Sequence, residues 1–267
     1  MGDRFEVVCE VEPAIRADLT RARHQVGVLA PVSDGFLIPD NHLGRATVSS
    51  IAVAHEVASM GVRAIACLNS RDRNRLGFQR DLLTAAAYGV DELLCVFGDH
   101  PSSGGRSNDL TVRSMLEEVR EFGTSPAFRG TGRFSVGVTS RLAPIPSWKQ
   151  AADFLFVQAS FDADALVRWR ESVNFSGRVY TGVLVVASSD MARALEATTS
   201  QIRVPPELLE RLESQPDAGI DHACEMLERV RASGAFDGAH LVPVGRYREV
   251  ARRLELAGWS RKTESRK

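Results

Sequence analysis

The chain has little that would tie it to a membrane, a metal or a nucleic acid. No apolar run approaches the roughly 18 residues that span a bilayer. The N-terminal segment MGDRFEVVCEVEP has no basic stretch followed by an apolar signal core. From these absences we expect no membrane partner and a cytoplasmic location. Only four cysteines occur, Cys9, Cys67, Cys95 and Cys224, and none forms a Cys-x-x-Cys pair or a Cys/His cluster with zinc spacing. A metal site is therefore not expected. Cys9, Cys67 and Cys95 lie in or at the end of apolar runs and read as buried reduced thiols. Neither charge sign prevails: 33 Lys and Arg face 34 Asp and Glu, for a net charge of -1. That balance carries no electrostatic footprint of a nucleic-acid partner. No Gly-x-Gly-x-x-Gly follows the first apolar run, which weighs against an open dinucleotide-binding sheet.

What is present is alternation. Short apolar runs read as strands over 4–12, 35–40, 62–68, 92–97, 133–138, 153–158, 178–186 and 238–244. Helical patterns fall between them, over 13–24, 46–60, 77–88, from 109, over 161–172, 190–198 and 221–232, and over 247–257 after the last strand. Between the fifth and sixth strands, 146–152 leaves room for a short helix only. Continuously apolar strands suit a parallel sheet covered on its outer face. Eight such units in 267 residues predict an α/β chain folded as a single (β/α)8 TIM barrel over 1–258, with 259–267 a frayed tail.

In such barrels the chemistry collects at the C-terminal ends of the strands. Read in order, those ends carry Glu10, Asp40 with Asn41, Cys67 with Asn69, Asp99, Thr139, Gln158, Ser188 and His240. Glu10 lies inside an apolar strand, where an ionised carboxylate is costly unless paired or functional. It is a candidate general acid. Asp99 follows a glycine that permits close backbone approach. Gln158 has an amide that both donates and accepts. Asn41, Asn69 and Arg71 are candidate substrate ligands; Arg71, Arg73 and Arg75 equally suit a solvated face. His240 reads as a packed core histidine sooner than a catalyst. The segment SSGGR (102–106) reads as a flexible loop able to close over a ligand.

The segments EVEP (10–13), IPDN (38–41), CLNSRDRNR (67–75), GVDELLCVFGDHP (89–101), ADFLFVQASFD (152–162) and IRVPPELLERLE occur in an order and spacing that resembles the methylenetetrahydrofolate reductases. The resemblance runs from the first strand to the last helix. It implies reduction of 5,10-methylenetetrahydrofolate to 5-methyltetrahydrofolate, a step of one-carbon metabolism that feeds methionine biosynthesis. It assigns Glu10 as the general acid, Asp99 as the anion that stabilises the iminium cation, and Gln158 as a folate contact. The family binds FAD, and here the flavin positions are changed. Pro39 stands for Thr, Cys67 for His, Phe97 for Arg and Thr139 for Tyr. The segment between Thr139 and Asp153 is shorter than the family pattern, with Lys149 matching a residue of the helix there. The aromatic expected near Ser189 to stack on nicotinamide is absent. These departures lead to the expectation that NADH or NADPH supplies hydride directly to the tetrahydrofolate derivative, without FAD. A conventional FAD enzyme, a non-catalytic folate-binding protein and another barrel enzyme such as a lyase are the alternatives.

Overall fold

A computed structural model describes residues 5–100, 102–124, 133–198 and 202–261. Eight strands, β1 (Glu6–Glu10), β2 (Gly35–Ile38), β3 (Ala64–Asn69), β4 (Glu92–Val96), β5 (Ser135–Ser140), β6 (Phe154–Val157), β7 (Arg178–Leu184) and β8 (Gly238–Val242), pair in parallel in sequence order. β8 returns to β1, with His240 opposite Val8, so the sheet closes into the expected (β/α)8 barrel. The helices are α1 (Thr20–Leu29), α2 (Ser50–Ser59), α3 (Arg75–Ala87), α4 (Val112–Phe122), α5 (Ala163–Ser172), α6 (Ser189–Thr198), α7 (Pro206–Ser214), α8 (Ala218–Ser233) and α9 (Tyr247–Leu256).

Local chemistry explains the elements. In α4, Thr111 accepts from the Ser114 N–H while the Ser114 hydroxyl accepts from the Thr111 N–H, a reciprocal cap. Met115, Leu116, Val119 and Phe122 then form its buried stripe. The strands are buried on both faces because alternate side chains enter the barrel or meet the helices. Inside lie Val8, Leu37, Ile65, Cys67, Leu94, Phe154, Phe156 and Tyr180. Cys9 and Cys95 face the helix layer. All four cysteines are free, and burial pushes the Cys9 and Cys95 thiols up to about 12.

Most boundaries fall within four residues of expectation, and the two at the ends of the chain differ more. The first helix begins at Thr20 instead of Pro13, because its buried stripe is Ala22, Gln25, Val26 and Leu29, and Asp18 accepts both the N–H and the hydroxyl of Thr20. Residues 13–19 are a loop at the barrel mouth. The tail is not free from residue 259. Trp259 is buried, its ring meets Phe5 edge-on at 6.0 Å, and Arg261 donates to the Gly61 carbonyl. Residues 262–267 lie outside the described residues. Between β5 and β6 the only helical element is a single 3-10 turn, Ser147–Ala151, in keeping with the short segment read there. No described helix is long and apolar enough to cross a membrane.

Candidate active site at the C-terminal mouth of the barrel

β1 alternates Glu6, Val8 and Glu10 into the barrel, so Glu10 emerges at its C-terminal end. A fully buried glutamine holds that exit in place. Gln25 donates to the Glu10 carbonyl at 3.1 Å and accepts from the Glu12 N–H at 2.9 Å. Glu10 Oε2 lies 3.3 Å from His240 Nε2 on the neighbouring strand β8. That nitrogen is buried, and the alignment is not that of a hydrogen bond, so it has no hydrogen-bond partner among the described residues. The imidazole lies against the Phe156 ring, 5.1 Å between centroids. His240 thus occupies the site as well as the packed interior.

Asp99 stands across the mouth, beyond β4. Gly98 before it has φ +88, and a Cβ there would come within 2.9 Å of Asn69. The turn therefore needs glycine in order to deliver Asp99 to the rim. Asp99 Oδ2 accepts the Leu43 N–H at 2.7 Å. Gln158 leaves β6 with its backbone N–H bonded to the Ser140 carbonyl. Glu10, Asp99, Gln158 and His240 all line one cavity of about 840 Å³. So do Pro39, Cys67, Phe97, Thr139 and Lys149. Burial, with the Glu10 and Asp40 carboxylates nearby, raises the Cys67 thiol well above its ordinary range. Phe97 is exposed at the rim under the Arg106 guanidinium, 4.6 Å from its ring. Lys149 Nζ donates to the Thr139 carbonyl at 2.8 Å, and burial together with Arg141 lowers its pKa.

Three candidate ligands stand elsewhere. Asn41, Asn69 and Arg71 do not line the cavity; they belong to a polar network behind it. Asp40 accepts from the Asn69 N–H, the Asn69 amide and Arg73. Asp72 accepts from the amides of Asn41 and Asn69, and buried Arg71 lies 3.4 Å from it. Of the flanking arginines, Arg73 also pairs with Asp81, and Arg75 with Glu118. Arg73 is therefore a buried, doubly paired cation, while Arg71 keeps one buried guanidinium nitrogen without a hydrogen-bond partner and Arg75 lies on the solvated surface. The SSGGR loop is tied as well: Ser102 gives both its N–H and its hydroxyl to the Gly44 carbonyl.

A second cavity of about 580 Å³ opens on the other side of Glu10, between the loops after β1, β2 and β8. It shares Glu10, His42 and Val242 with the first. Leu43 and Val244, on its wall, have φ of 54 and 42. A left-handed conformation strains such residues, and strain of this kind gathers at functional sites. No group of three or more His, Cys, Asp or Glu among the described residues could hold a metal ion.

A parallel (β/α)8 barrel with an acid, a histidine, a second carboxylate and an amide around one mouth cavity belongs to the class of barrels that carry their sites at the strand C-termini. Within that class, residues 148–256 of the chain are similar to the methylenetetrahydrofolate reductase family, whose model matches them. The match includes Lys149, Gln158 and His240; Glu10 and Asp99 lie upstream of it. No curated protein matches the chain. Among solved structures, a protein from Clostridium thermocellum that binds two copies of 5-methyl-5,6,7,8-tetrahydrofolic acid superposes with a TM-score of 0.63 at 10% identity, covering 96% of each chain. The long-chain alkane monooxygenase LadA gives 0.58 at 9% identity, covering 100% of this chain and 94% of its own. The EDTA monooxygenase EmoA from Chelativorans sp. BNC1 gives 0.57 at 10%, covering 98% and 96%. At these identities the likeness is one of fold.

Proposed function

We propose that the protein reduces 5,10-methylenetetrahydrofolate to 5-methyltetrahydrofolate with hydride taken directly from NADH or NADPH. The observation that carries this reading is the Glu10–His240 pair, 3.3 Å apart, on the wall of the cavity that Asp99 and Gln158 also line. The family match over 148–256 and the folate bound by the Clostridium thermocellum protein support the substrate class.

In this mechanism Gln158 orients the pterin. The Glu10 carboxyl gives its proton to N10, the bond between N10 and the bridging methylene breaks, and a 5-iminium cation forms. His240 Nε2 stands 3.3 Å from the Glu10 carboxyl, next to the group that gives up the proton. Asp99 has one oxygen held by the Leu43 N–H, which fixes the carboxylate beside the developing positive charge. Hydride from the dihydronicotinamide then adds to the methylene carbon. The products are the N5-methyl group and NAD(P)+, and the proton and two electrons balance.

The groups at the family's flavin positions do not suit a flavin. Pro39 has no N–H, the Cys67 thiol is buried, the Phe97 ring carries Arg106, and Lys149 turns its ammonium to the Thr139 carbonyl. No step above is routed through a flavin. The test uses NADH deuterated at the transferable position. Direct transfer leaves the label in the new methyl group. Loss of the label to solvent, or a flavin absorption band in the purified protein, overturns the flavin-free reading.

A second reading, folate binding without turnover, is favoured by the ligand of the Clostridium thermocellum protein. NADH consumption that requires methylenetetrahydrofolate eliminates it.

A further inference from the structure

Asp40 lines the catalytic cavity but takes no part in the steps above. Its side chain is 5% exposed, and its charge is cancelled by Arg73, which also pairs with Asp81. The two oxygens of its carboxylate are in different states. Oδ2 accepts three hydrogen bonds, from the Asn69 N–H at 2.9 Å, the Asn69 amide at 2.7 Å and Arg73 Nη1 at 2.5 Å. Oδ1 accepts none from any described residue. The anchor is itself fixed. Asn69 is fully buried, and its amide donates to Asp40 and Asp72 while accepting from the Arg71 and Asp72 N–H groups, which fills all four of its positions. It also packs against Gly98, where a Cβ would come within 2.9 Å of it. One side chain therefore holds both the Asp40 carboxylate and the turn that carries Asp99.

A buried carboxylate oxygen without a donor is costly until a ligand supplies one. Because Arg73 already neutralises the charge, that oxygen suits a neutral N–H donor and not a second cation. Leu37, Pro39, Cys67 and Leu94 line the same cavity and offer an apolar surface on which a planar ring can lie. The Cys67 thiol, raised first by burial and then by the Glu10 and Asp40 carboxylates, sets that surface between the two acids. If the reductase reading above holds, the reacting ring of the hydride donor carries one N–H donor group, its carboxamide, on the carbon next to the one that gives up hydride. The pterin already has Asp99 and Gln158. We propose that Asp40 Oδ1 accepts the carboxamide N–H of the dihydronicotinamide and so fixes the angle at which the ring faces the folate methylene. Asn69 and Arg73 are positioning residues that act through Asp40.

The inference rests on the reductase reading, and the experiment separates the two. The probe is the reduced 3-acetylpyridine analogue of NADH, in which a methyl group replaces the amide nitrogen and both N–H donors are lost. Dissociation constants of NADH and of the analogue are measured by dihydropyridine fluorescence, and that of 5-methyltetrahydrofolate by calorimetry. Values of kcat/KM are measured for both hydride donors with methylenetetrahydrofolate. Wild type is compared with Asp40→Asn, in which Arg73 keeps Asp81 and the fold should persist. The three donors at Oδ2 still demand an oxygen, so the new amide nitrogen is the atom left toward the ligand. Wild type is expected to bind NADH about tenfold or more tighter than the analogue, as one hydrogen bond to a charged group allows. Asp40→Asn should lower the NADH-to-analogue preference by about tenfold or more, in Kd and in kcat/KM, and leave 5-methyltetrahydrofolate binding within about twofold. The intrinsic reactivities of the two hydride donors cancel in this comparison. An unchanged preference, with both donors slowed alike, makes Asp40 structural and overturns the assignment. Weakened folate binding with an unchanged preference gives the free oxygen to the pterin, which overturns the assignment and leaves the reductase reading standing. Equal affinity of wild type for NADH and the analogue overturns it with no variant needed. A wild type that binds both donors and oxidises neither against methylenetetrahydrofolate overturns the reductase reading, and the Kd ratios alone then decide for or against Asp40. A wild type that binds no dinucleotide overturns both.

Discussion

The two ends of the barrel interior hold similar charges in opposite states. At the N-terminal end, Arg63 donates to Glu92 at 2.5 and 2.7 Å and to Glu6 at 2.7 Å. The Tyr180 hydroxyl also donates to Glu6 at 2.7 Å, and Arg178 lies 3.5 Å from Glu92. Each ion there has partners on several strands, so the network closes the floor of the barrel. At the C-terminal end, His240 Nε2 is buried without a hydrogen-bond partner beside Glu10, and Asp99 is exposed with one oxygen held by a backbone N–H. The same strand supplies both ends: Glu6 below, Glu10 above, two alternations apart with Val8 between them. Charges that satisfy one another build structure, and charges left incomplete are available to a ligand.

Substitutions at the two ends should separate activity from stability. On the proposed mechanism Glu10→Gln removes the proton donor while keeping the shape, and turnover should fall by about 10²–10⁴-fold. Folate affinity and thermal midpoint should stay near wild type, as steady-state NADH oxidation, calorimetry and thermal melts would show. Unchanged turnover would remove Glu10 from the acid role. Glu92→Gln should do the reverse, costing about 2–4 kcal/mol of unfolding free energy in urea because Arg63 loses its two-pronged partner. Its activity per folded molecule should be preserved. A large loss of turnover there would dissolve the division between the two ends.

A smaller effect is expected at the rim. Asp99→Ala frees the Leu43 N–H and, on the proposed mechanism, loses a charge-assisted contact to the cation, so both rate and folate affinity should fall by about 10-fold or somewhat more. Full retention of both would remove its role. The smallest effect belongs to neither end but to the sheet between them. The thiols of Cys9, Cys67 and Cys95 are raised, chiefly by burial, above their ordinary 9.0. An unfolded chain therefore releases those protons first. The stability they contribute is complete below 9.0 and is lost as pH rises toward the folded values, about 12 for Cys9 and Cys95. The unfolding free energy from urea titrations should decline between about pH 8 and about pH 9 by on the order of 1 kcal/mol. A flat profile would show that these thiols titrate alike in both states.

Much of the scaffold was legible before any coordinates. Eight apolar runs separated by helical patterns led to eight paired strands, since a run such as FLFV has too few polar atoms to face water on either side. That Glu10, Asp99 and Gln158 stand at the barrel mouth was legible because strand alternation and strand ends are local properties. The place of His240 beside Glu10 was not legible because it comes from closure, which puts β8 beside β1 across 231 intervening residues, from Val8 to His240. Asn41, Asn69 and Arg71 stand behind the mouth cavity for the converse reason. Polar residues after a strand look alike in sequence whether they face a ligand or one another.

Periodicity and composition alone determined an α/β barrel, the order of its strands, the buried thiols and the presence of a carboxylate at the first strand's exit. These follow from side-chain spacing and from the cost of exposing apolar surface, both of which act over a few residues. Which polar groups share a cavity, which cancel as ion pairs, and where a second cavity opens were decided by tertiary structure. Coulomb and hydrogen-bond energies depend on distances of a few ångströms in space, and chain order does not encode those directly.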